Sequence, residues 1–171
     1  MATIDATIGG ANSNSYVTHA YASSFWADSI YSANWDGYTA DDQNKLLIMA
    51  TRTLDDWYDW KGSKATDTQA LRWPRYGVDD QDGYWIDSDA LPVNLKDATV
   101  ELAGYLANVN PSAEPDTKGF RRIKVDVLEL EIDKADRDST TAIPDSVMKM
   151  LDHLGAVKSR GGDASVKLVR T

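Results

Sequence analysis

The stretch Gln69–Pro92 constrains the fold most strongly, because it lies between the two best helical patterns in the sequence. It holds two of the six tryptophans, two of the five prolines and a dense run of aspartates. The proline that follows Trp73 biases this tryptophan away from helix, and Asp82-Gly83 is a turn signal. We therefore predict a helix that enters, a long ordered loop pinned by aromatic side chains, and a helix that begins at Leu91-Pro92.

Four segments carry apolar residues at helical spacing, which predicts a mainly α fold, a small bundle of about four helices. In chain order, the predicted helices are His19–Asp28, Thr39 to about Lys61, one that starts at Pro92, and one that starts at Ile143-Pro144 and ends at Gly155. Thr39 and Asp42 resemble a capping pair at the start of the strongest helix. We predict that Ser29–Tyr38 is a loop.

The segment FRRIKVDVLELEID has alternating apolar residues, and the alternation shifts by one residue at Asp126-Val127. This shift predicts a β-hairpin with arms at about Phe120–Val125 and Leu128–Asp133. A lone two-stranded hairpin is marginal in water, so we expect it to pack on the helices or on a neighbouring subunit. The predicted organisation is an extended N-terminal arm (1–15), a helical domain with the hairpin (16–154) and a basic C-terminal tail (155–171).

Composition narrows the possible functions. A chain of 171 residues is expected to form one domain with a real core. Its N-terminus lacks the features of a signal peptide, no apolar run is long enough to span a bilayer, and cysteine is absent. The net charge of −9 argues against a surface devoted to nucleic acid. The tail beyond Gly155 carries four cations against Asp163, or +3, so the rest of the chain carries −12.

No pattern in the sequence is typical of catalysis, so we predict no enzyme activity and no cofactor or metal. The aspartates of Asp79–Asp89 loosely resemble a calcium loop, but the bidentate glutamate that such a loop needs is missing. Solvated turn aspartates are the alternative that we favour. The only histidines, His19 and His153, lie far apart in sequence and do not form a zinc pair.

The aromatic residues allow two interpretations. Arg72-Trp73-Pro74-Arg75-Tyr76 interleaves cations with aromatics, as single-strand binders do to stack bases. Core packing and subunit-interface anchoring is the alternative, and we favour it because most other aromatics lie among aspartates. The small basic cluster on the hairpin could meet phosphate or form a solvated strand edge. The predicted subunit interface comprises Trp73, Pro74, Arg75, Tyr76, Tyr84, Trp85, Arg121, Arg122 and Lys124.

The tail is polar, broken by glycines and cationic, so it cannot fold alone. It is either disordered or adds the short alternating run Ser165–Val169 to a partner as a strand. Its predicted binding residues are Lys158, Arg160, Val166, Lys167, Leu168, Val169 and Arg170.

Several segments together resemble a family of tailed-bacteriophage proteins, often labelled DnaT-like single-stranded-DNA-binding proteins. The most distinctive is Gln69–Arg75 (QALRWPR); the others are Ala11–Val17, Lys45–Asp55, Asp82-Gly83, Leu91-Pro92 and Lys96–Ala103. The resemblance covers roughly residues 11–154. An extra residue, Asn14, interrupts the plain Ala-Asn-Ser-Tyr form of the family.

The resemblance implies a head-tail connector, or adaptor, in the neck of the virion, assembled in the host cytoplasm. Such a protein forms a ring under the portal, with twelve copies expected, and sends its C-terminal tails onto the portal protein. It also contacts further neck or tail proteins, and DNA passes through its channel without sequence-specific binding. The alternative that the family label implies is a single-stranded-DNA-binding protein.

Overall fold

The structure is a computed structural model that describes residues 2–108, 122–125, 128–131 and 143–158. Its helices are α1 (His19–Ala27), α2 (Ser32–Asp36), α3 (Ala40–Trp57), α4 (Val93–Leu106) and α5 (Asp145–Leu151). Its strands are β1 (Tyr58–Trp60), β2 (Ser63–Lys64), β3 (Arg75–Tyr76), β4 (Arg122–Val125), β5 (Leu128–Glu131) and β6 (Gly155–Val157). The predicted fold class, a small helical bundle with a β-hairpin, is confirmed.

Helix α3 forms as the capping pair predicts. The Thr39 hydroxyl accepts a hydrogen bond from the Asp42 amide at 3.2 Å, and two aspartates in the first turn favour the positive end of the helix dipole. Its apolar stripe, with Leu47 and Leu54 fully buried, packs against α4. The predicted end near Lys61 is wrong. The helix stops at Trp57, because residues 58–60 leave as strand β1 and pair with β6 from the far end of the chain.

Helix α4 is the centre of the bundle. Pro92 directly precedes its first residue, and buried side chains occur around most of its circumference, because α1, α3 and α5 all pack on it. Gly104 makes room for one of these contacts, since a Cβ there would lie 2.5 Å from the Trp26 ring. The core is therefore a single cluster around α4.

The loop predicted for Ser29–Tyr38 is wrong in its centre, where α2 forms. The reason is tertiary. Trp35 is buried and stacks on Trp26, with ring centroids 5.9 Å apart, and the Gln43 side chain donates to the Trp35 carbonyl at 2.9 Å. These contacts hold a turn of helix whose short sequence shows no strong periodicity.

The three ribbons are antiparallel and two-stranded. Strands β4 and β5 confirm the predicted hairpin, with Arg122 opposite Glu131 and Val125 opposite Leu128. In the β1–β6 ribbon, Trp60 pairs with Gly155 and Tyr58 with Val157, so the residues at the start of the predicted tail form a strand.

The N-terminal residues are extended but held against the bundle. The Ala2 amide donates to the Asp41 carboxylate, the Asn44 side chain donates to the Ala2 carbonyl at 3.0 Å, and the Ala70 amide donates to Gly10 at 3.0 Å. Among the described residues, no helix is long and apolar enough to cross a membrane.

Candidate functional site

The segment QALRWPR folds into a pinned loop between α3 and α4. The side-chain amide of Gln69 makes three hydrogen bonds to backbone groups. Its Oε1 accepts from the backbone N–H of Thr66 at 2.8 Å, and its Nε2 donates to the carbonyls of Leu71 and Pro74. The Lys64 ammonium donates to the Gln69 carbonyl at 2.7 Å. Polar side chains therefore satisfy the backbone of this loop, whereas the sequence predicts a loop pinned by aromatic side chains.

Arg75 fastens the same loop to the β1–β2 turn. The residue is 8% exposed, and its guanidinium donates to four carbonyls, at 2.6 Å to Lys61, 2.7 Å to Gly62, 3.0 Å to Arg72 and 3.4 Å to Trp60. A planar fork with five donors suits this arrangement, in which carbonyls from two segments converge. All of its described hydrogen bonds are internal, so Arg75 is a structural residue.

Trp73 belongs to the core. It is 1% exposed, and its ring meets Trp60 edge to face at 5.9 Å; Trp60 in turn stacks on Tyr58 at 4.8 Å. Pro74, which follows it through a cis peptide bond, is also buried. Trp73, Pro74 and Arg75 thus cannot present a surface to a neighbouring subunit or stack bases in this structure, and this part of the predicted interface is corrected.

A partly buried carboxylate ties this loop to the N-terminal segment. Asp55 on α3 accepts hydrogen bonds from the Tyr16 hydroxyl and, at 3.0 Å, from the Arg72 amide. Burial raises the pKa of Asp55, although these two hydrogen bonds oppose the rise. Burial and the nearby Asp55 raise the pKa of Tyr16 well above its ordinary value, so its hydroxyl remains a donor.

Cations gather with one exposed aromatic residue around the β2–β3 ribbon. Lys61, Lys64, Arg72 and Tyr76 lie here, and we call this set the cationic ribbon. The carbonyls of Lys61 and Arg72 accept from the same guanidinium, which makes the two residues neighbours. Tyr76 is 54% exposed and pairs with Ser63 across the ribbon.

Beyond the cationic ribbon the chain forms a second turn, Val78–Ile86, which we call the acidic hairpin. The Asp80 amide donates to the Tyr84 carbonyl at 2.8 Å, and its carboxylate accepts from the amides of Asp82 and Tyr84. The predicted turn role is confirmed for Asp80. Val78 is buried beneath the hairpin, whereas Tyr84 and Trp85 are 73% and 77% exposed.

The surroundings of the acidic hairpin carry no positive charge along the chain. Between Arg75 and Lys96 there are five aspartates and no lysine or arginine. Over the described residues 2–108 and 143–158, nine lysines and arginines stand against eighteen aspartates and glutamates, a net charge of −9. The described body is therefore acidic, and the cationic ribbon is a local exception.

A notch of about 350 Å³ lies between the acidic hairpin and the start of α4. Its apolar side chains are those of Ile86, Pro92 and Val93, and Asp80, Gln81, Asp82, Asn94 and His153 complete its lining. The Gln81 side chain lies 3.3 Å from His153 Nδ1. Burial, followed by Lys61, lowers the pKa of His153. Among the described residues, no group of His, Asp or Glu is arranged to hold a metal ion.

The notch was not predicted from the sequence. The sequence does indicate the hairpin beside it, because a short segment of apolar and acidic residues lies on each side of the turn signal Asp82-Gly83. A second cavity of about 310 Å³ is lined by Trp26, Trp35, Glu101 and Tyr105, among others.

The other predicted site residues divide into three groups. Tyr76, Tyr84 and Trp85 are exposed, and the subunit-interface prediction now applies to them. Lys158 follows β6, where its amide donates to the Trp57 carbonyl at 2.7 Å and its ammonium to the Asp56 carbonyl at 2.8 Å. Arg122 and Lys124 lie on β4, and the remaining predicted residues lie outside the described ones: Arg121, Arg160, Val166, Lys167, Leu168, Val169 and Arg170.

Comparison with known proteins yields one finding. The model of the family described as "Putative DnaT-like ssDNA binding protein" matches residues 2–171. No curated protein and no solved structure matches the chain. The DnaT-like part of the resemblance is thereby confirmed, and the head-tail connector role stays a prediction.

Proposed function

We propose that this chain, which belongs to the "Putative DnaT-like ssDNA binding protein" family, binds single-stranded DNA. The observation that carries this proposal is the cationic ribbon, in which the exposed residues Lys61 and Arg72 are neighbours through Arg75, and Tyr76 on the adjoining strand is 54% exposed. Single-strand binders combine cations that follow the phosphates with aromatic rings on which bases stack. The cationic ribbon offers both features on a small scale.

The charge of the body limits how this binding can work. With a net charge of −9 over residues 2–108 and 143–158, the protein repels a polyanion at long range. Contact is then confined to the cationic ribbon, so affinity is modest and depends strongly on salt. Trp73 and Arg75 support this surface from beneath and do not touch the DNA.

The test is a titration of a labelled oligothymidine, followed by fluorescence anisotropy at two salt concentrations. Arg72→Gln is expected to weaken binding and to lower the salt slope by roughly 0.7, the value for one phosphate contact on a single strand. Tyr76→Ala removes a stacking ring, worth about 1–3 kcal/mol, and so weakens binding roughly fivefold or more.

Lys45→Gln is the matched control, because Lys45 is an exposed cation on α3 that pairs with Asp41 and Asp42. It is expected to leave the affinity close to that of the wild type. Absence of binding at low salt would contradict the proposal. Equal losses from Lys45→Gln and Arg72→Gln would contradict the assignment to the cationic ribbon.

The second candidate function is the one that the sequence resemblance implies, a structural, non-catalytic adaptor in the neck of a phage virion. We propose it because the exposed aromatics of the acidic hairpin suit a protein partner better than a nucleic acid. Tyr84 and Trp85 lie among five aspartates, and interface cores are enriched in such aromatics. In this proposal the partners are identical subunits in a ring, the portal protein and further neck or tail proteins.

Electron microscopy of the purified protein, alone and mixed with its portal, tests the adaptor proposal. Rings, or rings that form on the portal, are the expected result. The decisive variant ends at Lys158, because a cut at Gly155 would remove β6 and so disturb the fold itself. Portal docking that survives this truncation would contradict the tail assignment, and a monomer indifferent to the portal would contradict the adaptor role.

A further inference from the structure

We propose that the notch beside the acidic hairpin binds the C-terminal segment Ser165–Thr171 of a second copy of this chain. The inference rests on neither proposed function. It starts from Val93, which lines the notch and is 58% exposed, and from the adjoining acidic hairpin, where Tyr84 and Trp85 are 73% and 77% exposed. Exposed apolar residues beside a concave site make it a candidate for binding a partner.

The shape and chemistry of the notch describe its occupant. Ile86, Pro92 and Val93 offer apolar contacts, while Asp80 and Asp82 supply negative charge beside them. A segment that docks here needs apolar side chains and cations close together and no acidic group. A polyanion does not meet this description, because the carboxylates of Asp80 and Asp82 line the notch directly.

The segment Ser165–Thr171 (SVKLVRT) meets this description. It contains three apolar residues and two cations, and it contains no acidic residue. In an extended conformation Val166, Leu168 and Arg170 lie on one face and Lys167 on the other. The apolar pair can then contact Ile86 and Val93 while a cation meets the carboxylate of Asp82.

The direction of the chain favours a second copy over the same copy. In the β1–β6 ribbon, Gly155 lies opposite Trp60, at the end closer to His153 and the notch. Strand β6 then runs to Lys158, which is hydrogen-bonded to Trp57 at the opposite end of the ribbon. The described chain therefore ends, at Lys158, on the side of the ribbon away from its own notch. The 13 residues from 159 to 171 can span up to about 45 Å when extended, enough to reach a neighbouring molecule.

The test is self-association of the full chain, measured by sedimentation velocity over a range of protein concentrations. Asp82→Lys reverses a charge at the notch, and the Asp82 side chain is exposed with no described hydrogen bond, so the hairpin is expected to fold. We expect this variant to self-associate at least tenfold more weakly. Val93→Ser, which removes an apolar contact, is a second variant with the same expected direction. Asp67→Lys, the same charge change on an exposed loop away from the notch, is the control.

A charge exchange identifies the occupant. Arg170→Glu alone is expected to weaken self-association, and mixing it with Asp82→Lys is expected to restore hetero-association of the two variants. A photo-crosslinker at position 168 is expected to link two chains through the notch. Crosslinks confined to single chains, equal effects of Asp67→Lys and Asp82→Lys, or a wild type that stays monomeric would each overturn the proposal.

Discussion

Replacing Arg75 with lysine tests the claim that this residue is structural. Lysine keeps the positive charge but exchanges a planar fork for a compact ammonium group, which cannot reach carbonyls on two segments at once. The four acceptors of the guanidinium lie at Trp60, Lys61, Gly62 and Arg72, at 2.6 to 3.4 Å. We expect the variant to keep one or two of these hydrogen bonds and to lose the others.

The magnitude follows from the lost hydrogen bonds. A hydrogen bond to a charged group contributes about 1.5–3 kcal/mol to stability, so losing two would cost at most about 3–6 kcal/mol. Lys61 and Gly62 are exposed residues, so water can reach part of this site and reduce the cost. We therefore expect Arg75→Lys to lower the free energy of unfolding by roughly 2–4 kcal/mol.

Urea unfolding followed by tryptophan fluorescence measures this loss. With a slope of about 2 kcal/mol per molar urea, the midpoint is expected to fall by roughly 1–2 M. Arg72→Lys is the matched control, because Arg72 is exposed and contributes to the loop through its backbone amide and carbonyl. Its stability is expected to stay within about 0.5 kcal/mol of the wild type. Equal effects of the two substitutions, or a change below about 0.5 kcal/mol for Arg75→Lys, would refute the structural role.

Three further outcomes follow from the structure. Gly62→Ala is expected to destabilise the fold far more than Gly83→Ala in urea unfolding. Both glycines have positive φ (+66° and +84°), but only at Gly62 would a Cβ lie 1.9 Å from a backbone carbonyl oxygen. Comparable losses of stability in the two variants would contradict this contact. Tyr16→Phe removes the hydroxyl that donates to the Asp55 carboxylate and is expected to lower the free energy of unfolding by about 1.5–3 kcal/mol in the same assay. An unchanged stability would contradict the contribution of this hydrogen bond. Because burial lowers the pKa of His153, the unfolded chain binds more protons below about pH 6.5, so the wild type is expected to lose more stability than His153→Gln as the pH falls from about 7.5 to 5.5. Parallel pH profiles would contradict that assignment.

The sequence was sufficient where local patterns decide the structure. The cap at Thr39, the stripe that includes Leu47 and Leu54, and the change of parity at 126–127 each follow from neighbouring residues. These features predicted α3 and the β4–β5 hairpin, and Leu91-Pro92 predicted the start of α4. The end of α3 could not be predicted in the same way, because the strand that pairs with residues 58–60 lies near the C-terminus.

The misassigned residues of the candidate site share a physical cause. Arg75 stands between aromatic residues and resembles an exposed cation in sequence, but in the fold the carbonyls of residues 60–62, at the turn between β1 and β2, converge on it. Trp73 is buried for a related reason, since its ring packs on Trp60 of strand β1. Burial of a tryptophan or arginine depends on tertiary contacts, so composition alone could not separate core from interface here.

This separation changes what each proposed function requires. The segment QALRWPR, on which the resemblance chiefly depends, serves mainly to build the loop, because Gln69, Trp73 and Arg75 are buried, and the side chains of Gln69 and Arg75 donate to backbone carbonyls. In our proposals, DNA binding then depends on the exposed side chains of Arg72 and Tyr76, whereas self-association depends on Asp82 and Val93 at the notch. Arg72→Gln should therefore affect oligonucleotide binding but not self-association, and Asp82→Lys should weaken self-association without weakening oligonucleotide binding. If both substitutions impaired both properties equally, the two surfaces would have to act as one, and the separate assignments of the cationic ribbon and the notch would fail together.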